Sequence, residues 1–113
     1  MCGIAGIIKT QNSKYTISKE LLKAMSDVIE HRGPDSDGQW ISKTGNAGFA
    51  FRRLAIIDLS PRGNQPMTLS DGRYTIVFNG EIYNLLELRK ELEKKGYVYK
   101  SNTDTETILY GYK

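Results

Sequence analysis

Apolar residues along the chain change period several times, and each change marks an element. Cys2 to Ile8 is an uncharged run closed by the polar stretch Lys9 to Lys14. Its length and β-branched content predict a buried central strand with Cys2 at its start. From Ser18 the spacing turns helical: Leu21, Leu22, Met25, Val28 and Ile29 share one face. Ser18 is the expected N-cap, and Gly33-Pro34 stops the helix near His31. Two strand-like runs follow, Gln39 to Ser42 and Ala47 to Ile57, joined as a hairpin by Thr44-Gly45-Asn46. Asp58 to Gln65, with Pro61, Gly63 and Asn64, reads as a loop. Asp71-Gly72 then predicts a second hairpin between Met67–Leu69 and Tyr74–Phe78.

The last third is mainly helical in pattern. Leu85, Leu88 and Leu92 lie on one face, Asn84 and Glu87 have capping-box spacing, and Gly96 suits the position after a helix end. Tyr97 to Lys100 reads as a short strand. Thr103 and Glu106 form a second capping box opening a helix through Ile108, Leu109 and Tyr112. Hairpins mixed with amphipathic helices indicate an α+β fold, helices covering mostly antiparallel sheet.

Composition narrows the function classes. The chain has 113 residues, 39% of them hydrophobic, which suits one folded domain and argues against intrinsic disorder. Lys and Arg number 16 against 13 Asp and Glu, a scattered excess of +3 that gives no basic patch for nucleic acid. No apolar stretch is long enough for a membrane helix, and Lys9 arrives too early for a signal-peptide core, so a cytoplasmic location is expected. A single cysteine excludes an internal disulfide and a Cys-rich zinc site. His31, Asp35 and Asp37 lack metal-ligand spacing, and that loop reads as structural, its Arg and Asp pairing with other loops.

The one cysteine sits at position 2. If Met1 is removed, Cys2 carries a thiol and a free α-amine, with ordinary pKa values of ~8.5 and ~7.7–8.0, so the amine can act as base for the thiol. Acyl transfer is the matching chemistry; a small buried hydrophobe is the alternative. Asn79-Gly80 could supply an amide side chain and an unhindered N–H to an oxyanion, or form a plain turn. Arg52-Arg53 interrupts an apolar strand pattern, so one of the pair faces each way; an inward Arg can grip a carboxylate, an outward one guards an edge. Asp104 stands in a helix's first turn, where the dipole alone accounts for it, or it binds a substrate ammonium.

Taken in order, Cys2-Gly3-Ile4-Ala5-Gly6, His31-Arg32-Gly33-Pro34-Asp35, Arg53 to Asp58 with Gln65-Pro66-Met67, Asn79 to Asn84, and Thr103 to Glu106 resemble the glutamine amidotransferase domain of the asparagine synthetase family. These are class II, N-terminal-nucleophile enzymes. Pro34 favours this branch, which also contains amidotransferases of surface-polysaccharide and secondary metabolism. The resemblance implies an αββα sandwich in which Cys2 attacks the glutamine amide, and Asn79 and Gly80 form the oxyanion hole. By the same resemblance Arg53 holds the α-carboxylate, Asp104 with Glu81 takes the α-ammonium, and Leu54, Ile56 and Ile57 line the pocket through their backbones. It further implies that residues 1–113 are the first part of a glutaminase domain. By the same resemblance, a synthetase domain using ATP and Mg to amidate aspartate is expected outside this chain, and no metal or cofactor is expected in this part. Glutamine and the synthetase domain are the expected partners, a homo-oligomer is compatible, and nucleic acid and membrane are not expected. A non-catalytic fragment is the contrasting possibility. One departure is Phe51, where the family often has His.

Overall fold

The strand Ala47–Arg53 (β3) organises the first half of the molecule. In the computed structural model, which describes residues 1–113, β3 is the middle strand of a three-stranded antiparallel sheet, flanked by Gly3–Ile8 (β1) and Ser36–Ile41 (β2). The register pairs Gly3 with Arg52 in β1 and Ser36 with Arg53 in β2. The expected central position therefore belongs to β3, and β1 is an edge strand, since only β3 pairs with it.

Strand alternation gives β3 two different faces. Ala50 packs with Ile17 and Leu22 in a small core that Ala5, Ile7, Met25 and Ile41 extend. Leu22 comes from the helix Lys19–Val28 (α1), which lies across all three strands on this side. The Ser18 side chain caps α1 by accepting from the Leu21 N–H at 3.1 Å, and a 3-10 turn at Glu30–Arg32 completes the descent to Gly33. On the opposite face Phe49 stacks on Trp40 with ring centroids 5.3 Å apart, and Phe51 is fully buried.

Two expected strands are shorter than their apolar patterns. β3 ends at Arg53 rather than Ile57, where its pairing with β1 and β2 stops. The next two amides turn to side chains instead: Leu54 N–H to Cys2 Sγ at 3.3 Å and Ala55 N–H to Asp35 Oδ2 at 2.7 Å. The second hairpin is reduced to Met67–Thr68 (β4) against Thr75–Ile76 (β5), with Met67 opposite Ile76. Pro66 has no N–H with which to continue that ladder. β2, by contrast, starts earlier than expected, at Ser36, since Asp37 and Gly38 pair with Arg52 and Phe51.

The helices Leu85–Lys94 (α2) and Asp104–Tyr112 (α3) pack on each other, and α3 also meets β5. Neither capping box forms. Asn84 leaves the extended conformation that a cap needs (φ −100°, ψ 35°), and its side chain caps nothing. At α3 the Glu106 carboxylate reaches further back, accepting from the Lys100 and Ser101 N–H groups at 2.8 Å each and from Ser101 Oγ at 2.6 Å. That claim on Lys100, with Tyr97 tilted and Tyr99 edge-on against Tyr110, leaves residues 97–100 without strand pairing. No helix is long and apolar enough to cross a membrane.

Candidate functional site

The β1–β3 register delivers Cys2 to the end of β3. One residue before Gly3, Cys2 falls opposite Arg53, and its side chain reaches the next residue, Leu54, whose N–H donates to Sγ at 3.3 Å and whose carbonyl accepts from it at 3.5 Å. Arg32 Nε donates to the Cys2 carbonyl at 3.3 Å, so the His31–Asp35 loop braces the same corner from outside through Arg32 and Asp35. Cys2 opens onto a cavity of about 410 Å³.

Each site residue singled out in the sequence lines this cavity: Cys2 on one wall, Arg53, Leu54, Ile56 and Ile57 along the end of β3 and beyond, Asn79, Gly80 and Glu81 after β5, and Asp104 at the start of α3. Met1 lines it too, and while Met1 is attached the Cys2 nitrogen is a peptide nitrogen.

The Arg pair divides by strand alternation. Arg52 takes the α1 side, donating to the Gly33 carbonyl at 2.9 Å and pairing with Glu30 at 3.4 Å. Arg53 takes the cavity side. Its Nη1 donates to the Ser60 carbonyl at 2.6 Å and to Asn64 Oδ1 at 2.8 Å, and its Nη2 donates to the Asp58 carbonyl. A guanidinium has five N–H donors, so two remain for an anion. Gly63 is required at this point, because a β-carbon there would overlap Arg53 Nη2 and come within 2.9 Å of Thr103 Cγ2.

The segment carrying Asn79 and Gly80 is held by side chains. Gln65 Oε1 accepts from the Phe78 N–H at 2.5 Å, and its Nε2 donates to the Phe78 carbonyl at 3.2 Å and to Thr105 Oγ1 at 3.0 Å. Gly80 lies so close to the Phe78 ring that a β-carbon would sit 2.8 Å from it. Asp104 Oδ2 accepts from the Ile82 N–H at 3.1 Å, tying the helix start to the residue after Glu81.

Asp58 is the electrostatic anchor of the wall. Hydrogen bonds from the Ser60 hydroxyl, the Asn102 N–H and the Ser60 N–H, in that order, with the charge of Arg53, lower its carboxyl from the usual 3.8 to about 2. It thereby fastens the Asp58–Gln65 loop to the segment leading into α3, with 2.9 Å between Asn102 N and Oδ2.

Sequence reasoning did not assign Phe51, Asp58, Gly63, Gln65, Phe78, Tyr83, Thr103 and Thr105 to this cavity, which they also line. Asp58 two residues before Ser60 has the spacing of an Asx turn, a usable signal. Gln65 facing Phe78 had none, since that pairing depends on the register of distant residues. No three His, Cys, Asp or Glu side chains are grouped so as to hold a metal ion.

The chain is 47% identical, over its whole length, to asparagine synthetase (glutamine-hydrolysing) 1 of Bacillus subtilis (strain 168), of which it covers 18%. It is 42% identical over 96% of its length to the putative asparagine synthetase (glutamine-hydrolysing) 2 of Methanocaldococcus jannaschii, covering 23% of that protein. Amidase chry2 of Gibberella zeae is 36% identical over the whole chain, which again covers 18% of the relative. The chain thus spans about a fifth of the length of these relatives. A model of the glutamine amidotransferase domain matches residues 1–113 from end to end, and the chain belongs to that family.

Proposed function

We propose that this chain hydrolyses the side-chain amide of glutamine. The observation that carries the reading is convergence: Cys2, Arg53, Asn79-Gly80 and Asp104, far apart in sequence, meet around one cavity. After removal of Met1, the Cys2 α-amine accepts the thiol proton and the thiolate attacks the amide carbon. The Asn79 side chain and the Gly80 N–H stabilise the oxygen that becomes negative. Collapse of the tetrahedral intermediate expels ammonia, which takes its proton from the α-ammonium, and leaves a thioester on Cys2. Water, deprotonated by the same amine, cleaves the thioester to glutamate and restores the thiol. Arg53 holds the substrate α-carboxylate with its two remaining N–H donors, and Asp104, with Glu81, receives the α-ammonium. Leu54, Ile56 and Ile57 bound the slot between them.

The same reading assigns the antiparallel sheets to the N-terminal-nucleophile fold, α1 over the three-stranded sheet being its first helical layer. The names of the relatives support asparagine synthesis as the use of the ammonia, with aspartate as acceptor, at a synthetase segment that binds ATP and Mg outside these residues. The relative named as an amidase favours a second reading, in which the same half-reaction serves another acceptor.

Glutaminase assay of the parent and of Cys2→Ala tests the mechanism: the parent releases glutamate and the variant does not, while in the protein that carries the synthetase segment synthesis from free ammonia persists. Survival of glutaminase activity in Cys2→Ala would overturn it. Mass spectrometry of the N terminus checks the required loss of Met1, and product analysis with ATP and aspartate separates the two acceptors.

A further inference from the structure

Gln65 has no role in the reaction just described, yet it is buried and every hydrogen-bonding arm of its amide is engaged. The β4–β5 register explains where it sits. With Met67 opposite Ile76, the same pairing carried back places Pro66 opposite Val77 and Gln65 opposite Phe78. Pro66 breaks the backbone ladder, and one step later the Gln65 side chain replaces it. Its carbonyl oxygen takes the Phe78 N–H at 2.5 Å and its amide nitrogen meets the Phe78 C=O at 3.2 Å, as a neighbouring strand would. The second hydrogen of that nitrogen goes to Thr105 Oγ1 at 3.0 Å. The amide orientation is unambiguous, since Phe78 N–H only donates and its C=O only accepts.

We propose that Gln65 is a positioning residue for the oxyanion donors. It fixes Phe78, and so the backbone from which Asn79 and Gly80 project, and it measures that backbone against Thr105, next to Asp104. One side chain thereby sets the distance between the reacting amide and the ammonium end of the substrate. This rests on the proposed glutaminase reaction. Interactions with the oxyanion are made in the transition state, so their misplacement lowers turnover more than ground-state binding.

The test uses the whole protein with its N terminus processed. Gln65→Glu keeps an acceptor for the Phe78 N–H but sets an oxygen against the Phe78 carbonyl. The expected loss in kcat for glutamine hydrolysis is on the order of 100-fold, the cost of a small displacement of catalytic geometry. KM is expected to move by less than about threefold. Affinity for the aldehyde analogue of glutamine, whose adduct with Cys2 is tetrahedral, falls by the same factor as kcat/KM, while affinity for L-glutamate holds. Thr105→Val, which removes only the second arm, shows the same pattern with a loss of about tenfold. A folded Gln65→Glu protein with parental kcat, or with a change confined to KM, overturns the proposal. If Gln65→Glu does not fold, parental kcat in Thr105→Val overturns it. An inactive parent would instead sink the glutaminase reading itself.

Discussion

Asp58 shows how one carboxylate can hold a site without touching chemistry. Its carboxyl titrates near 2 in the folded chain, below the usual 3.8, because Ser60 and Asn102 donate to the charged form. Proton uptake is therefore easier in the unfolded chain. The contribution to stability is full above about pH 4 and disappears as pH falls through about 2. Asp58→Asn should consequently be less stable than the parent at neutral pH and lose less on acidification across that window. Urea midpoints measured from pH 5 to pH 2 check this; parallel acid limbs for both proteins would refute it. The Asp58 backbone carbonyl also receives Arg53, so the variant retains that contact and isolates the side chain's share.

Among the elements, α1 offers the cleanest separation of local from tertiary contributions. Ser18 satisfies one orphan N–H at the helix start, and Ser18→Ala should cost about 1 kcal/mol. Leu22 is fully buried between α1 and the sheet, and Leu22→Ala should cost about 2–5 kcal/mol through lost burial and the cavity left behind. Urea unfolding of the two variants gives the ranking; a larger loss at Ser18 would contradict it. The same contrast explains what was legible in the sequence. Ser18 acts locally, and α1 starts where it predicts; the α-helix, however, ends at Val28 rather than near His31, the chain tightening into the Glu30–Arg32 3-10 turn before Gly33-Pro34, and Val28 is left exposed. The end of β3 was not legible: Leu54 to Ile57 continue the apolar pattern, and the strand ends where its pairing with β1 and β2 stops, with Cys2 and Asp35 taking over its amides. The capping box at Thr103 does not form for a related reason, since Glu106 accepts from Lys100 and Ser101 instead. Cys2, Arg53, Asn79, Gly80 and Asp104 each admit an ordinary structural reading on their own, and it is their order in the family's motifs that singles them out. Gln65 does not stand out as a site residue, because its importance lies in a register.

Across the whole molecule, two kinds of backbone order coexist. The three-stranded sheet is held by its ladder, main chain to main chain. The cavity wall is seamed differently. Leu54, Ser60, Phe78, Ile82 and Asn102 give their N–H groups to the side chains of Cys2, Asp58, Gln65, Asp104 and again Asp58. A ladder opens only when strands separate, whereas such a seam opens when a few torsions turn. Hydrogen exchange should reveal the difference: these amides exchange faster than those of Ala50 and Phe51, as one group, through a shared local opening. L-glutamate, the proposed product, should slow them together. Independent exchange at each of the five would show that no common opening exists. If they move together, the cavity is a hinged enclosure mounted on a rigid plate, and its breathing rate becomes adjustable by single side-chain changes that leave the plate intact.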